Sequence, residues 1–438
     1  MNASQFPLRV SVRRLLPFLL AVLLLSLCAC NTGSTATTGT ASPPPLTASS
    51  PTPTPEPTPE PTPEPTPEPT PTPIPDAVEL TALSLTLSGG GSTDTLTDRS
   101  YSTRLQLNAD SALTVSAREN ALIGSLYLIW DTPPGEWTLS SGDEILFTGG
   151  KNEFIHAFAP LPVPVEGEIK LKVSGNATLC DVYAFTEGTP PDWVQVWQEP
   201  WEKADLLLLS THADDEHLFF GGMMPYYAGE LGMHVQVAYL TYHWDEQPRP
   251  HELLNGLWTV GITAYPVIGP FRDMYADSLA SAQYLYNQED VIGFQVELLR
   301  RFRPSVVAGH DLNGEYGHGV HMLNAHSLLK AVERAADPEQ FPDSVQNYGT
   351  WDTPKLYLHL YPENRITLDW EQPLERFDGA TAFEMAEAGY ACHLSQHKWN
   401  FYVYPAGSLY DCHLFGLARS TVGPDTGADG WDLFENIQ

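Results

Sequence analysis

The sequence is poor in basic residues and in cysteine. The first shortage limits the partners that the protein can bind, and the second limits the ligands that it can offer to a metal. It has 22 lysines and arginines against 54 aspartates and glutamates, which gives a formal net charge of -32 at pH 7. Nucleic acids and anionic membrane surfaces need a basic footprint on their partner, so the composition argues against both. A neutral sugar is compatible with this charge, whereas a phosphate-rich polymer is not.

Cysteine is scarce, with five in 438 residues, and the cysteines do not have zinc-finger spacing. Any bound metal must therefore use histidine and carboxylate ligands. Three cysteines lie beyond residue 30, an odd number that permits at most one internal disulfide. Cys392 with Cys412 is the plausible pair in an oxidising compartment.

The N-terminus carries a targeting signal. Three arginines precede an apolar run over residues 15–27, which is typical of a secretory signal peptide and too short for a comfortable membrane span. The run ends in the letters LCAC, which resemble a bacterial lipobox in which Cys30 receives lipid. We expect a lipoprotein signal peptide over residues 1–29 and an extracytoplasmic protein anchored to the membrane through Cys30. An ordinary signal peptide with chance cysteines is the alternative.

Residues 30–76 are typical of a disordered tether rich in threonine, proline and glutamate. The 25 residues from 51 to 75 place proline at every second position, which favours polyproline II. Such a segment would reach ~80 Å at about 3.1 Å per residue. The predicted role of the tether is to hold the folded part of the protein away from the membrane.

Residues 77–190 are predicted to form an all-β sandwich or jelly roll. Short runs of alternating polarity, such as residues 125–130 and 169–173, lie between turns rich in Gly, Asp, Asn and Pro. The closing letters DVYAFTEG resemble the last strand of discoidin-like carbohydrate-binding modules, which makes carbohydrate binding one function to consider. Trp130 and Trp137 could stack on sugars, although a buried core position is the commoner use of tryptophan.

Residues 191–438 change to an α/β pattern. Predicted strands at 204–210, 235–241 and 305–309 alternate with predicted helices at 217–232, 250–260 and 290–301. This alternation favours a Rossmann-like, doubly wound, mainly parallel sheet. Ligands of such sheets bind beyond the carboxyl ends of the strands, so the residues that follow each strand are candidates for a site.

Ionisable residues follow two of these strands. The letters THADDE place His212, Asp214 and Asp215 in the turn after the first strand, where burial of charge is costly unless a partner or a metal offsets it. A helix N-cap would explain one aspartate but not the histidine as well. The letters GHDLNGEYGHGVH follow a later strand, and His318 and His321 can share one helix face. Together the two turns predict a metal site with two histidines and one carboxylate.

In sequence order, the two motifs resemble the AHPDDE and HxxH motifs of the PIG-L/LmbE-like deacetylase family. The resemblance covers about residues 203–400 and includes an RxxE helix at 249–252 and a His-x-Ser-Gln element at 393–396. It implies a zinc-dependent hydrolase that removes the acetyl group from N-acetylglucosamine-type sugars or glycans. A member of this family would need Zn²⁺ as its cofactor.

The resemblance also implies a role for each site residue. By analogy His212, Asp215 and His321 bind the zinc ion, Asp214 is the general base, and His318 stabilises or protonates the reacting group. Ala213 stands where the family has proline. Gly319 and Val320 replace a Pro-Asp pair and so remove a carboxylate that would tune His318, which leaves the role of that histidine less secure.

Four further residues are candidates for substrate binding. Arg249 could hydrogen-bond substrate hydroxyls, with a surface ion pair to Glu252 as the alternative. His310, Asp311 and Glu315 are expected to line the pocket, with local turn formation around Asn313 and Gly314 as an equal alternative.

Two other functions compete with deacetylation. The same ligand set could form the Fe(II) site of an oxygenase, but such sites usually lie inside jelly rolls rather than at the strand ends of an α/β domain. A non-catalytic glycan-binding lipoprotein is the other alternative. It does not account for the presence of all five proposed metal-binding and catalytic residues.

Overall fold

The computed structural model of the protein describes residues 74–427 and 430–437, which belong to one compact unit, Pro71–Gln438. The predicted signal peptide, Cys30 and the tether up to residue 73 lie outside the described residues. Within the described part of the chain, no helix combines the length and apolar character needed to cross a membrane.

The first half of the unit consists of two antiparallel sheets. Their strands are β1 (Leu83–Leu87), β2 (Leu105–Leu107), β3 (Ala112–Ala117), β4 (Ile123–Trp130), β5 (Trp137–Ser141), β6 (Glu144–Gly149), β7 (His156–Val165), β8 (Glu168–Val173) and β9 (Ala177–Phe185). One sheet has the order β1-β3-β8-β5-β6 and the other β2-β9-β4-β7. The predicted all-β sandwich is confirmed.

The core of the sandwich follows from alternating polarity. In β8 the apolar residues Ile169, Leu171 and Val173 are buried while the residues between them are exposed. Trp130 and Trp137 are also buried, with ring centroids 6.0 Å apart. Both tryptophans therefore stabilise the core and are not exposed for stacking on sugars.

The second half is an α/β domain. Its strands are β10 (Leu206–Ser210), β11 (Val235–Tyr242), β12 (Val267–Arg272), β13 (Val306–Gly309), β14 (Lys355–His359), β15 (Arg365–Thr367) and β16 (Leu414–Ser420). Its helices are α1 (Asp215–Leu218), α2 (Arg249–Thr259), α3 (Leu279–Leu285), α4 (Gln288–Phe302), α5 (Gly319–Ala335), α6 (Pro342–Tyr348) and α7 (Ala382–Tyr390). The α/β class predicted from the sequence is confirmed.

The seven-stranded sheet has the order β12-β11-β10-β13-β14-β16-β15. Strands β10 to β14 pair in parallel, and β16 pairs antiparallel to both of its neighbours. After β10 the chain adds β11 and β12 on one side of the sheet. It then returns to place β13 on the other side of β10 and β14 beyond it. The adjacent carboxyl ends of β10 and β13 are therefore a switch point, where open α/β sheets bind ligands.

The helix predicted over residues 217–232 is interrupted. α1 ends at Leu218, and a π-helical segment covers Met224–Glu230. Gly221 lies between the two segments and has a φ of +51°. It also lies so close to Cys412 that a Cβ added to the glycine would be 2.6 Å from Sγ of Cys412. Tertiary packing at this glycine breaks a helix that the periodicity alone predicts as continuous.

The cysteines do not form the disulfide that the sequence suggested. Cys180, Cys392 and Cys412 are all free in the described part of the chain. Cys412 instead packs as a buried apolar side chain in the main core.

Buried polar groups join the sandwich to the α/β domain. Nε2 of His156, on β7, lies 2.9 Å from Nδ1 of His251, on α2, and Nδ1 of His156 lies 3.1 Å from the Tyr127 hydroxyl. Tyr101 stacks on His251 with ring centroids 4.2 Å apart. The backbone N–H of Ile155 donates to the Tyr265 hydroxyl at 3.2 Å. The two halves therefore share a specific hydrogen-bonded interface.

We expect His156→Ala to lower the free energy of unfolding by about 1–3 kcal/mol, because it leaves buried polar atoms of Tyr127 and His251 without a partner. Urea unfolding measures the change. His326→Ala, at a half-buried position on α5, is the control and should change stability by no more than about 0.5 kcal/mol. Equal effects of the two substitutions would contradict a specific role for the His156–His251 contact.

Candidate active site

The turn after β10 is held by hydrogen bonds to its backbone. The Ser210 hydroxyl donates to the carbonyl of His212 at 3.0 Å, and the Thr241 hydroxyl donates to the carbonyl of Thr211 at 2.9 Å. Asp214, the N-cap of α1, has a φ of +126°, which costs a non-glycine residue about 1–3 kcal/mol. Its backbone N–H donates to Oε2 of Glu216 at 2.9 Å. The surrounding contacts thus maintain a strained conformation at this aspartate.

Three predicted ligand atoms converge at the switch point. Nδ1 of His212 lies 3.0 Å from Oδ2 of Asp215 and 3.1 Å from Nε2 of His321, and the latter two atoms are 3.1 Å apart. Ligand atoms at 2.0–2.1 Å from a tetrahedral metal ion stand roughly 3.3 Å from one another. The triangle therefore fits one divalent metal ion, and we call these three residues the triad.

Glu315 orients one member of the triad. Its fully buried carboxylate accepts N–H bonds from Nδ1 of His321 at 2.8 Å, of His310 at 2.9 Å and of His359 at 2.8 Å. Burial favours the neutral acid, but the contacts with these histidines hold the pKa of Glu315 well below its usual range. Because Nδ1 of His321 carries the proton, Nε2 keeps its lone pair for a metal.

Asp273 has a similar position next to His212. Its Oδ1 lies 3.3 Å from Nε2 of His212, the ring nitrogen opposite the one in the triad. Its Oδ2 lies 3.6 Å from Nδ1 of His243 and 3.4 Å from Nη1 of Arg249. Burial opposes the charge of Asp273, yet the contacts with His212, His243 and Arg249 hold its pKa well below its usual range. Nε2 of His212 makes no hydrogen bond within the described residues, so its contact with Asp273 is electrostatic. A carboxylate beside this nitrogen favours the tautomer that keeps the lone pair of Nδ1 for a metal.

Sequence reasoning missed Asp273, His359 and His243. Asp273 directly follows β12, His359 is the last residue of β14, and His243 directly follows β11. Their position at the carboxyl end of a parallel strand is the signal that could have found them, and the predicted residues have the same position. All five parallel strands have a histidine or an aspartate within two residues of their carboxyl end.

The adjacent aspartates have opposite electrostatic environments. Burial and the charge of Asp215 raise the pKa of Asp214 well above its usual range, against the opposing charge of Arg249, whose Nη2 is 3.6 Å away. Burial also acts on Asp215, but His321 and His212 outweigh it and hold the pKa of Asp215 well below its usual range. Such a separation suits one carboxylate to proton transfer and the other to metal binding.

His318 caps α5 and faces the triad. Its ring centroid lies 4.8 Å from that of His212 and 4.6 Å from that of His321. Burial and the charges of these two histidines lower the pKa of His318 to about 2. Val320, where the family has a carboxylate, is buried in an apolar cluster with Leu323. The charges of Asp215 and Asp273 oppose the lowering of the pKa of His318 but do not outweigh it. His318 is therefore neutral near pH 7 and can donate or accept one hydrogen bond.

Arg249 is nearly buried and holds the turn before Asp214. Its Nη2 donates to the carbonyl of Ala213 at 3.1 Å, and its Nη1 donates to Oε2 of Glu246 at 3.2 Å. Glu252 instead accepts the backbone N–H of Ser395 at 2.8 Å. The alternative of a surface ion pair between Arg249 and Glu252 is therefore wrong. Substrate binding by Arg249 stays a prediction.

Two of the three other predicted substrate-binding residues support the site from inside the protein. His310 is fully buried, and its Nε2 accepts the backbone N–H of Thr211 at 2.9 Å. Asp311 accepts the backbone N–H of Asn313 at 3.0 Å, which is the local turn considered as the alternative. His310 and Glu315 are fully buried and support the triad from inside the protein, whereas Asp311 keeps an exposure similar to that of His318. Substrate binding by these three residues stays a prediction.

Comparison with known proteins identifies the family. No protein-family model matches the chain. A 1D-myo-inositol 2-acetamido-2-deoxy-alpha-D-glucopyranoside deacetylase of Rhodococcus opacus is 32% identical over 290 residues, which are 53% of this chain and 98% of that protein. The chain belongs to the PIG-L/LmbE-like deacetylase family. Members of this family are hydrolases named for the removal of N-acetyl groups.

Other PIG-L/LmbE-like relatives match over less of their length. Deacetylases with the same name from Catenulispora acidiphila and Saccharopolyspora erythraea are 28% and 32% identical over 210 and 185 residues, which are 42% and 36% of this chain. The chain spans 64% and 66% of their lengths.

Solved structures give more distant likenesses. The N,N'-diacetylchitobiose deacetylase from Pyrococcus horikoshii is 17% identical with a TM-score of 0.33, over 46% of this chain and 77% of that one. A family 32 carbohydrate-binding module from Streptococcus pneumoniae EndoD is 7% identical with a TM-score of 0.22, over 25% of this chain and all of that one. Likeness at this level does not assign a function to either half of the protein.

We expect Asp273→Asn to weaken metal binding about 10–100-fold, because the neutral amide lacks the charge that makes the ligating nitrogen of His212 more basic. Competition with a chromogenic chelator measures the affinity. The matched control is Asp245→Asn, which removes only an exposed ion pair with Arg272. Wild-type affinity in the Asp273 variant would show that this carboxylate does not position the triad.

Proposed function

We propose that the protein is a zinc-dependent hydrolase that removes the acetyl group from N-acetylglucosamine-type sugars or glycoconjugates outside the cytoplasm. The observation that carries the proposal is the triad beside Asp214, an aspartate whose pKa is raised. Relatives of the chain are named as deacetylases of a 2-acetamido sugar joined to inositol, which supports an acetamido sugar as the substrate class.

The donor chemistry supports zinc as the metal. Two imidazole nitrogens and one carboxylate oxygen, with a coordination position left for substrate or water, are the ligand set of catalytic zinc sites. Their place at the switch point of the sheet supports the Rossmann-like interpretation of this domain. Zinc at the triad would supply Lewis acidity to the amide carbonyl and to the attacking water.

Asp214 is the proposed general base. Its raised pKa lets it take a proton from the attacking water and later give it to the departing amine. Arg249 positions Asp214 in two ways. Its guanidinium donates a hydrogen bond to the carbonyl of Ala213, and it forms an ion pair with the carboxylate of Asp214. Water adds to the carbonyl carbon, the C–N bond breaks, and the products are acetate and an amino sugar.

His318 is the proposed partner of the amide oxygen. A neutral imidazole at the mouth of the triad donates one N–H bond, which stabilises the charge that develops on that oxygen during attack. The low pKa of His318 argues against storage of a proton on this ring. Its contribution is therefore assigned to hydrogen bonding rather than to proton transfer.

The location of the protein is inferred from the sequence outside the described residues. The apolar run, Cys30 and the proline-rich tether together form one targeting unit. We infer an extracytoplasmic lipoprotein whose catalytic domain stands off the membrane and reaches N-acetylated glycans. The strongly acidic composition fits a neutral sugar substrate.

An acetate-release assay on N-acetylglucosamine compounds tests the catalytic proposal. The zinc-loaded protein should release acetate, and Asp214→Asn should keep its zinc while losing about 100- to 10,000-fold in turnover, the range of a general base. Asp215→Ala should lose both zinc and activity, whereas the Asp245→Asn control should lose neither. Equal zinc content in the Asp214 and Asp215 variants would contradict the division of roles, and no acetate from any acetamido sugar would refute the function.

Membrane fractionation tests the anchoring. Cys30→Ala should release the protein from the membrane, because the lipid-bearing residue is lost. Cys28→Ala is the matched control and should remain in the membrane fraction. Full retention of the Cys30 variant with Cys28 intact would assign the lipid to the other cysteine or exclude this anchor.

A further inference from the structure

A second cluster of histidine and carboxylate side chains lies directly behind the first motif. Glu216 and His217 belong to α1, and His393 follows the end of α7. All three side chains are fully buried. The proposed hydrolysis uses none of them, apart from the hydrogen bond that Oε2 of Glu216 accepts from the backbone of Asp214.

The cluster contains polar atoms whose hydrogen-bonding capacity is unused. Oε1 of Glu216 and both ring nitrogens of His217 and of His393 have no hydrogen-bond partner among residues 74–427 and 430–437. Buried polar side chains are nearly always partnered, and each orphaned group costs about 1–3 kcal/mol. Within the same ranges, the Tyr239 hydroxyl next to Glu216 is unpaired as well. One ligand atom from each of Glu216, His217 and His393 lies within 4.8 Å of the others, which indicates that a ligand binds between the three side chains.

The distances between the donor atoms fit a metal ion better than a hydrogen bond. Oε1 of Glu216 is 3.4 Å from Nε2 of His217 and 3.5 Å from Nε2 of His393. Tetrahedral ligands about 2.0–2.1 Å from an ion stand roughly 3.3 Å apart. A proton shared between Glu216 and one imidazole would satisfy two of the five atoms, whereas an ion would bind three of them, Oε1 of Glu216 and the two Nε2 atoms.

Two glycines leave the space that the imidazole rings need. A Cβ on Gly256, in α2, would lie 2.7 Å from Nε2 of His217 and 2.9 Å from Nε2 of His393. A Cβ on Gly389, in α7, would lie 2.5 Å from Nδ1 of His217. Any larger residue at these positions would therefore clash with the two rings.

We propose that Glu216, His217 and His393 bind a second divalent metal ion, separate from the triad. One carboxylate oxygen and two imidazole nitrogens are borderline donors that suit zinc. Because one ligand pair comes from α1 and the third ligand follows α7, the ion would cross-link segments far apart in the sequence. It would also fix Glu216, whose other oxygen holds the strained backbone of Asp214. Its role is structural, and it does not require the deacetylase activity.

Zinc stoichiometry of the full chain tests this site. The protein is loaded with zinc, dialysed and analysed by inductively coupled plasma mass spectrometry. Wild type should hold two zinc ions per chain, Asp215→Ala should keep the one at the second site, and Glu216→Gln should keep the one at the triad. Glutamine has the size of glutamate and still accepts the N–H of Asp214, so this variant should fold. His326→Gln is the matched control and should hold two ions.

The outcomes separate the second site from the proposed function. One zinc in wild type that Glu216→Gln retains and Asp215→Ala loses would overturn the second site and leave the triad intact. One zinc that Asp215→Ala retains would support the second site and overturn the triad. If one variant fails to fold by circular dichroism, the count of the other variant decides. A Glu216→Gln protein that holds as many ions as wild type, or an Asp215→Ala protein that holds none, overturns the proposal.

Discussion

One carboxylate oxygen, Oδ2 of Asp215, holds the two halves of the candidate active site together. It accepts the backbone N–H of His212 at 2.8 Å, which closes the turn after β10, and it lies 3.1 Å from Nε2 of His321 on the helix after β13. Removing this charge would leave the two imidazoles facing each other without a carboxylate between them. Strands β10 and β13 are neighbours in the sheet, and Asp215 joins the residues that follow these two strands into one site.

Two further carboxylates flank the histidines of the triad on their outer sides. Glu315 holds the proton of His321 on the side away from Asp215, and Asp273 stands on the far side of His212. Each triad histidine thus lies between two carboxylates, and a metal ion would replace the proton on the inner side. Binding of the ion and stability of the fold are consequently linked, since the unfolded chain cannot assemble these groups.

The sequence predicted the site residues that lie within short motifs, and it missed the residues that only long-range contacts bring to the site. The triad, Asp214 and His318 lie in two short motifs beside predicted strands, so spacing and resemblance were sufficient to bring them together. Asp273 and His359 are single polar residues at the ends of other strands, and only the order of strands in the sheet places them near the site. The interruption of the helix after α1 depends on contact between Gly221 and Cys412, which are separated by most of the domain.

The central claim is that the triad is a metal site, and anomalous diffraction at the zinc absorption edge tests it most directly. Crystals of the zinc-loaded protein should show an anomalous peak about 2.0–2.2 Å from Nδ1 of His212, Oδ2 of Asp215 and Nε2 of His321. A fully loaded crystal with no peak within reach of these three atoms would contradict the account.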